Sequence, residues 1–197
     1  ISNYLYKKNS DGANEVINNL EKKYMQHVEE LFTTDEYKQK TITFLQSEFA
    51  YIRSFTKDIF TSFEEKSIVA QGEIMSTNMM LNYLEEIGIK AILVSALDFM
   101  RTDKNSEPDA QYIKEKLTHI MADNEGYQIY LTQGFICRNA YGETDNLLRG
   151  GSDFTASLIG VALQAEEIQI WTDIDGMHNN DPRFVEGTDA ITVSYTH

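Results

Sequence analysis

The residue types best suited to chemistry lie in Leu148-Arg149-Gly150-Gly151-Ser152-Asp153-Phe154-Thr155-Ala156. Two glycines precede a helical pattern for which Ser152 is the expected N-cap. A helix start offers unpaired N–H groups and the positive end of the helix dipole, which suits an anion. Gly150 and Gly151 let backbone approach a ligand closely. Arg149 adds a forked donor that matches a carboxylate or a phosphate. An ordinary loop ahead of a capped helix has the same spacing, so spacing alone leaves both readings open.

A second segment reads Thr172-Asp173-Ile174-Asp175-Gly176, followed by Asn180-Asp181-Pro182-Arg183. An acidic strand end, a turn and an arginine could hold ribose or base on one side and phosphate on the other. Asp173-x-Asp175-Gly176 is only superficially a calcium loop, because its glycine comes too early and no bidentate Glu closes the frame. Walker-type and dinucleotide glycine patterns are absent. Cys137 is the only cysteine and the histidines are scattered at 27, 119, 178 and 197, which argues against zinc. No nucleophile-elbow pentapeptide supports a Ser-His-Asp hydrolase.

These segments need elements to hold them. Ile17, Leu20, Tyr24, Val28 and Leu31 predict a one-faced helix over 14–32. Leu45, Phe49, Ile52, Phe55 and Ile59 predict another over 41–60. Both read as core stripes with solvated backs. After Phe63 the texture changes. Strands are expected at Ser67–Ala70, Lys90–Ala96, Tyr127–Phe135 and Glu167–Trp171. Helices are expected after Gly72-Glu73 up to Gly88, at 109–121 behind Pro108, and at Ser152–Leu163, with 142–151 a loop. Alternating strands and helices, with several strands nearly all apolar, predict a mainly parallel sheet sandwiched between helices in three α/β/α layers. Residues 1–63 form the mainly helical part of one domain and 64–197 its α/β part.

Ligands of open parallel sheets bind at the carboxyl ends of strands. The expected exits are Gln71-Gly72-Glu73, Gln133-Gly134-Phe135 and Thr172–Gly176. Each alone fits a turn, whereas together they suggest a lined site.

Composition narrows the classes. Hydrophobic residues at 42% and charged residues at 24% suit a soluble globular chain of 197 residues. Seventeen basic against thirty-one acidic residues give −14, which argues against nucleic acid or an anionic membrane as the main partner. Exposed charges are screened beyond about 8 Å, so a local positive site can still hold a nucleotide. Apolar runs such as Ala91–Val94 fall far short of the ~20 residues of a membrane helix. One cysteine allows no internal disulfide and points to a reducing, cytoplasmic setting.

The two segments resemble blocks of the aspartokinase branch of the amino-acid kinase family. Arg149-Gly150-Gly151-Ser152-Asp153-Phe154-Thr155-Ala156 is similar to its Gly-Arg-Gly-Gly-Ser-Asp block. Trp171-Thr172-Asp173-Ile174-Asp175-Gly176 with Asp181-Pro182-Arg183 is similar to its Trp-Thr-Asp block. Gly72-Glu73, Glu107-Pro108-Asp109 and Thr132-Gln133-Gly134-Phe135 follow the family's order. The likeness is strong over about 65–190 and loose before it.

The resemblance implies phosphorylation of L-aspartate by ATP to 4-phospho-L-aspartate, with Mg2+, at the head of lysine, threonine and methionine biosynthesis. It implies that Glu73 holds the substrate amino group and Arg149 its carboxylate. Ser152 and Asp153 would lie at the reacting centre beside Gly150 and Gly151. Thr172, Asp173, Gly176, His178, Asp181 and Arg183 would bind ATP. No resident metal ligands are expected. Another phosphotransferase of the family, or a non-catalytic nucleotide- or amino-acid-binding protein, remains an alternative.

Two residues depart from the pattern. Leu148 stands where the family has glycine. His178 replaces a tyrosine, and either stacks on adenine or is a surface replacement. The family's Lys-Phe-Gly-Gly-Thr-Ser strand, its second lysine and its ACT regulatory domains have no counterpart here. The expectation is a catalytic-domain piece, incomplete at both ends, inactive alone and drawn from a homo-oligomeric parent.

Overall fold

The computed structural model describes residues 1–57, 59–148, 150–171, 179–180 and 184–189. They fall into two compact units, Ile1–Glu166 and Glu167–His197.

The first unit opens with four helices: α1 (Ser2–Tyr6), α2 (Ser10–Leu31), α3 (Asp35–Ser54) and α4 (Ser62–Glu86). The Asn9 side chain accepts from Gly12 N at 2.9 Å and starts α2. Ile17 and Val28 of its stripe are buried, with Leu20, Tyr24 and Leu31 packed beside them. Leu45, Phe49 and Ile52 of α3 join the same cluster, and Tyr24 meets Phe49 edge to face at 5.6 Å. The α3 stripe stops at Ser54, and Ile59, expected within it, is exposed. In a buried link between α3 and α4, Asn82 Nδ2 donates to Thr41 Oγ1 at 2.9 Å.

Helix α4 corrects the expected strand at Ser67–Ala70, which lies wholly within it. A capping box, Thr61 with Glu64, starts the helix upstream of that run. The run is apolar because α4 is buried on two faces. Ile68, Met75 and Met79 enter the helical cluster, whereas Ala70, with Ile74 beside it, enters a second cluster against the sheet. A continuous apolar run does not by itself separate a buried strand from a helix buried on both sides. Gly72 therefore sits in a helix interior, exposed, with open space where a Cβ would project. Gly72→Ala should raise stability by about 0.5–1 kcal/mol, read as a higher urea midpoint. A lowered midpoint would return Gly72 to the strand-end turn first expected.

Beyond α4, β1 (Ala91–Leu93) pairs in parallel with β2 (Ile129–Leu131), Ala91 opposite Ile129 and Leu93 opposite Leu131. Both strands lie inside their expected ranges but are shorter. Strand β1 gives way to the short helix α5 (Ala96–Phe99). Helix α6 (Ala110–Asp123) forms the crossover. It is capped by Asp109, whose Oδ1 accepts from Tyr112 N at 3.1 Å. Arg101 pairs with the same carboxylate and holds its pKa below the usual range. Arg101 also lies 3.7 Å over the Tyr112 ring. The Glu107-Pro108-Asp109 motif thus serves to start a helix, with Pro108 just outside it.

Residues just past the strand expected at Tyr127–Phe135 pair with part of the loop expected at 142–151 to form a hairpin. Strand β3 (Ile136–Arg138) runs antiparallel to β4 (Thr144–Asn146). Asn139 Oδ1 accepts from Tyr141 N and Glu143 N, and Gly142 takes φ 83° in the turn. Lys66 pairs with Asp145 at 2.7 Å and ties α4 to this hairpin. Helix α7 (Gly151–Leu163) packs on α6 and, through Ile159 and Leu163, on the β2 side of the sheet.

In the second unit, Glu167–Trp171 is not a strand. An extended segment becomes a strand only by sharing backbone hydrogen bonds, and nothing among the described residues pairs with it. Ile168, Ile170 and Trp171 are exposed.

Candidate active site

Glu73 rises from the middle of α4, half-buried, and burial pushes its carboxyl pKa up. Its turn is fixed by a relay to the strand exits. Thr77 Oγ1 donates to Glu73 O at 2.8 Å. Gln133 Nε2 donates to Thr77 Oγ1 at 2.8 Å, while Gln133 Oε1 accepts from Ala96 N at 2.8 Å. Gln133 is buried, so this one amide, two residues past β2, joins α4 to the start of α5.

The next residue meets the glycine loop. A Cβ built on Gly134 would lie 2.9 Å from Ser152 Cα, Cβ and Oγ. Only glycine fits that approach. Phe135 follows at φ 68°, a conformation that costs a bulky residue about 1–2 kcal/mol. Its N–H donates to Thr155 Oγ1 at 3.2 Å, and Thr155 Oγ1 donates to Gly151 O at 2.7 Å. A Cβ on Gly151 would fall 3.1 Å from Leu147 Cβ and 3.1 Å from Phe135 Cδ2. The start of α7 is thus clamped against the end of β2.

Gly150, at φ 80°, is the N-cap of α7, so the expected cap at Ser152 is corrected. With Gly150 turning the chain, Ser152 falls inside the first turn, exposed, and makes no cap hydrogen bond. Asp153 is exposed beside it, at the positive end of the helix. Leu148, where glycine was the family pattern, adopts φ 61°, the left-handed conformation that glycine takes without cost.

The structure therefore joins Glu73, Gly134, Gly151 and Ser152 through one contact chain. Arg149, Thr172, Asp173, Gly176, His178, Asp181 and Arg183 lie outside the described residues. Thr77 and Thr155 escaped the sequence reading. Thr77 carries no motif signal, and Thr155 was read as part of a block without a role of its own. Cys137 offers no nucleophile: it is buried, and burial pushes its thiol up to about 12.

The sequence profile of the Amino acid kinase family matches residues 9–194. The chain belongs to that family. Its curated relatives within the amino acid kinases include lysine-sensitive aspartokinase 3 of Escherichia coli, 38% identical over 129 residues, 63% of this chain and 28% of the relative. An aspartokinase of Chlamydia muridarum is 33% identical over 135 residues, 65% of this chain and 30% of the relative. The crystal structure of E. coli aspartokinase III in complex with aspartate and ADP superposes with a TM-score of 0.76 at 26% identity. That likeness covers 96% of this chain and 44% of the E. coli chain. The expected α/β fold, with its parallel strand pair and flanking helices, is the amino acid kinase fold. The chain spans about 28–30% of the length of these curated relatives. Among the described residues no helix is long and apolar enough to cross a membrane.

Proposed function

We propose that the chain carries the aspartate side of an ATP-dependent aspartate kinase. The supporting observation is the hydrogen-bonded relay from Glu73 through Thr77 and Gln133 to the Gly134–Ser152 contact. The relay meets Glu73 at its backbone carbonyl and so fixes the turn of α4 that carries the half-buried carboxylate; L-aspartate offers an ammonium for that carboxylate and carboxylates for the helix start.

In this reading Glu73 takes the substrate ammonium, which compensates the cost that burial places on its charge. Arg149 takes the α-carboxylate in a forked pair. The β-carboxylate lies by Ser152 and the amide end of α7. One of its oxygens attacks the γ-phosphorus of ATP, the bond to the β,γ-bridging oxygen breaks, and ADP leaves. Phosphoryl transfer depends on positioning and charge neutralisation, and donors at a helix start serve both. Thr172, Asp173, Gly176, His178, Asp181 and Arg183 would hold the nucleotide. Among the described residues no three acidic, histidine or cysteine side chains converge on a metal site. Magnesium in this reading enters as MgATP, with Asp153 the acidic side chain nearest the helix start. The product is 4-phospho-L-aspartate, and the setting is cytoplasmic amino-acid biosynthesis.

Calorimetric titration of the chain with L-aspartate tests the reading. Glu73→Gln should weaken binding at least about tenfold, since hydrogen bonds to charged groups contribute about 1.5–3 kcal/mol. L-Glutamate should bind more weakly than L-aspartate. Equal affinity of the parent and Glu73→Gln for aspartate would remove Glu73 from the site. Coupled ATP consumption by this chain should be negligible, because neither family lysine is present in it. Robust aspartate-dependent turnover would overturn that part.

A further inference from the structure

A cleft of about 400 Å³ lies on the other flank of α4, between α3, α4, Leu97 and the hairpin residue Thr144. Gln71 faces it and Glu73 does not. Two helix positions correspond to a rotation of about 200°, so the two side chains leave on nearly opposite sides.

Four of the six polar residues that line this cleft, Ser47, Glu48, Ser67 and Gln71, present acceptor oxygens, and Tyr51 and Thr144 add hydroxyls that can donate or accept. Gln71 is 5% exposed, and its Oε1 is buried without a hydrogen-bond partner. An unsatisfied acceptor of this kind costs about 1–3 kcal/mol. Ser47 Oγ donates to Phe44 O at 2.6 Å and Ser67 Oγ to Phe63 O at 3.3 Å, so both hydroxyls turn oxygen lone pairs to any neighbour. Glu48 adds a half-buried carboxylate whose pKa burial pushes up. Among the described residues no lysine, arginine or histidine lines the cleft. The polar part of the wall is thus rich in acceptors with one negative charge. Ala70, Ile74 and Leu97 supply an apolar part.

We propose that this cleft binds a small primary ammonium compound, its –NH3+ head between Glu48 and Gln71 Oε1 and its alkyl part against Ala70, Ile74 and Leu97. A primary ammonium presents three donors and no acceptor, which complements this wall. A single inorganic cation would leave most of 400 Å³ unfilled, and that volume lies within the ~300–1,000 Å³ range of organic-ligand pockets. The bound cation would also neutralise a carboxylate held partly out of water.

Titration of the chain with n-butylammonium, followed by calorimetry and by chemical shifts of Tyr51 and Thr144, tests the proposal. Saturable one-site binding is expected, with 1-butanol at least about tenfold weaker because it lacks the charge. Glu48→Gln and Gln71→Leu should each weaken binding at least about tenfold. Glu73→Gln should leave it unchanged, which separates this cleft from the aspartate site. Butanol binding as tightly as butylammonium would overturn the proposal, as would retained affinity in Glu48→Gln. Displacement of butylammonium by equimolar potassium would also overturn it, in favour of an inorganic cation. Glu48→Gln is isosteric at a half-exposed position and should keep the fold, so its result stands even if Gln71→Leu unfolds.

Discussion

Gly134→Val should lower the stability of the chain by about 3 kcal/mol and abolish aspartate binding together with it. The new side chain would begin 2.9 Å from Ser152 Cα, a backbone atom that cannot swing aside as a flexible side chain can. Relief requires moving the start of α7 or the end of β2, and overpacking of this kind costs about 1–3 kcal/mol or more. Either movement stretches the 3.2 Å bond from Phe135 N to Thr155 Oγ1, which holds a strained φ in place. Chemical denaturation gives the stability change, and aspartate calorimetry under native conditions gives the second effect. A denaturation midpoint matching the parent would mean that the close approach of Gly134 to Ser152 does not exist in solution.

Phe49→Ala has the largest purely structural effect, a loss of about 3–5 kcal/mol. Phe49 is fully buried and edge-on to Tyr24, between α2 and α3. Removing the ring leaves a cavity that three long helices cannot close without shifting together. Domains as a rule hold only about 5–15 kcal/mol against unfolding, so the variant would sit near the edge of stability. A thermal melt should fall by about 10 °C or more. A shift of only 1–2 °C would place the Phe49 ring on a surface rather than in this core.

The leading helices α2 and α3 are legible in the sequence because each buries one side only. The stripes through Ile17 and Val28, and through Leu45, Phe49 and Ile52, alternate with charge and predict their helices. The second part of α4 matches the helix expected up to Gly88, whereas its first part reads as a strand because Ile68 and Ala70 point to different clusters, which erases the periodicity. The hairpin Ile136–Arg138 with Thr144–Asn146 was missed because three-residue strands leave almost no alternation to detect, although Asn139 and Gly142 mark its turn. Ser152 was misread as a cap because its side-chain type suits one; the positive φ at Gly150 sets the cap two residues earlier. At the candidate site, the role proposed for Glu73 rests on the family resemblance, and that of the Gly150–Ser152 loop on its residue types. Gln133 was noted as a strand exit, but its joining of α4 to the start of α5 through one buried amide depends on distances that spacing along the chain does not encode.

The double burial of α4 has a consequence for how this protein comes apart. Melting the helix to release Met75 and Met79 from one cluster also withdraws Ala70 from the other. Neither cluster keeps its wall when the other dissolves, so hydrogen exchange of the central α4 amides reports the concerted opening of both, and partly folded intermediates that retain only one of them have little to hold them together.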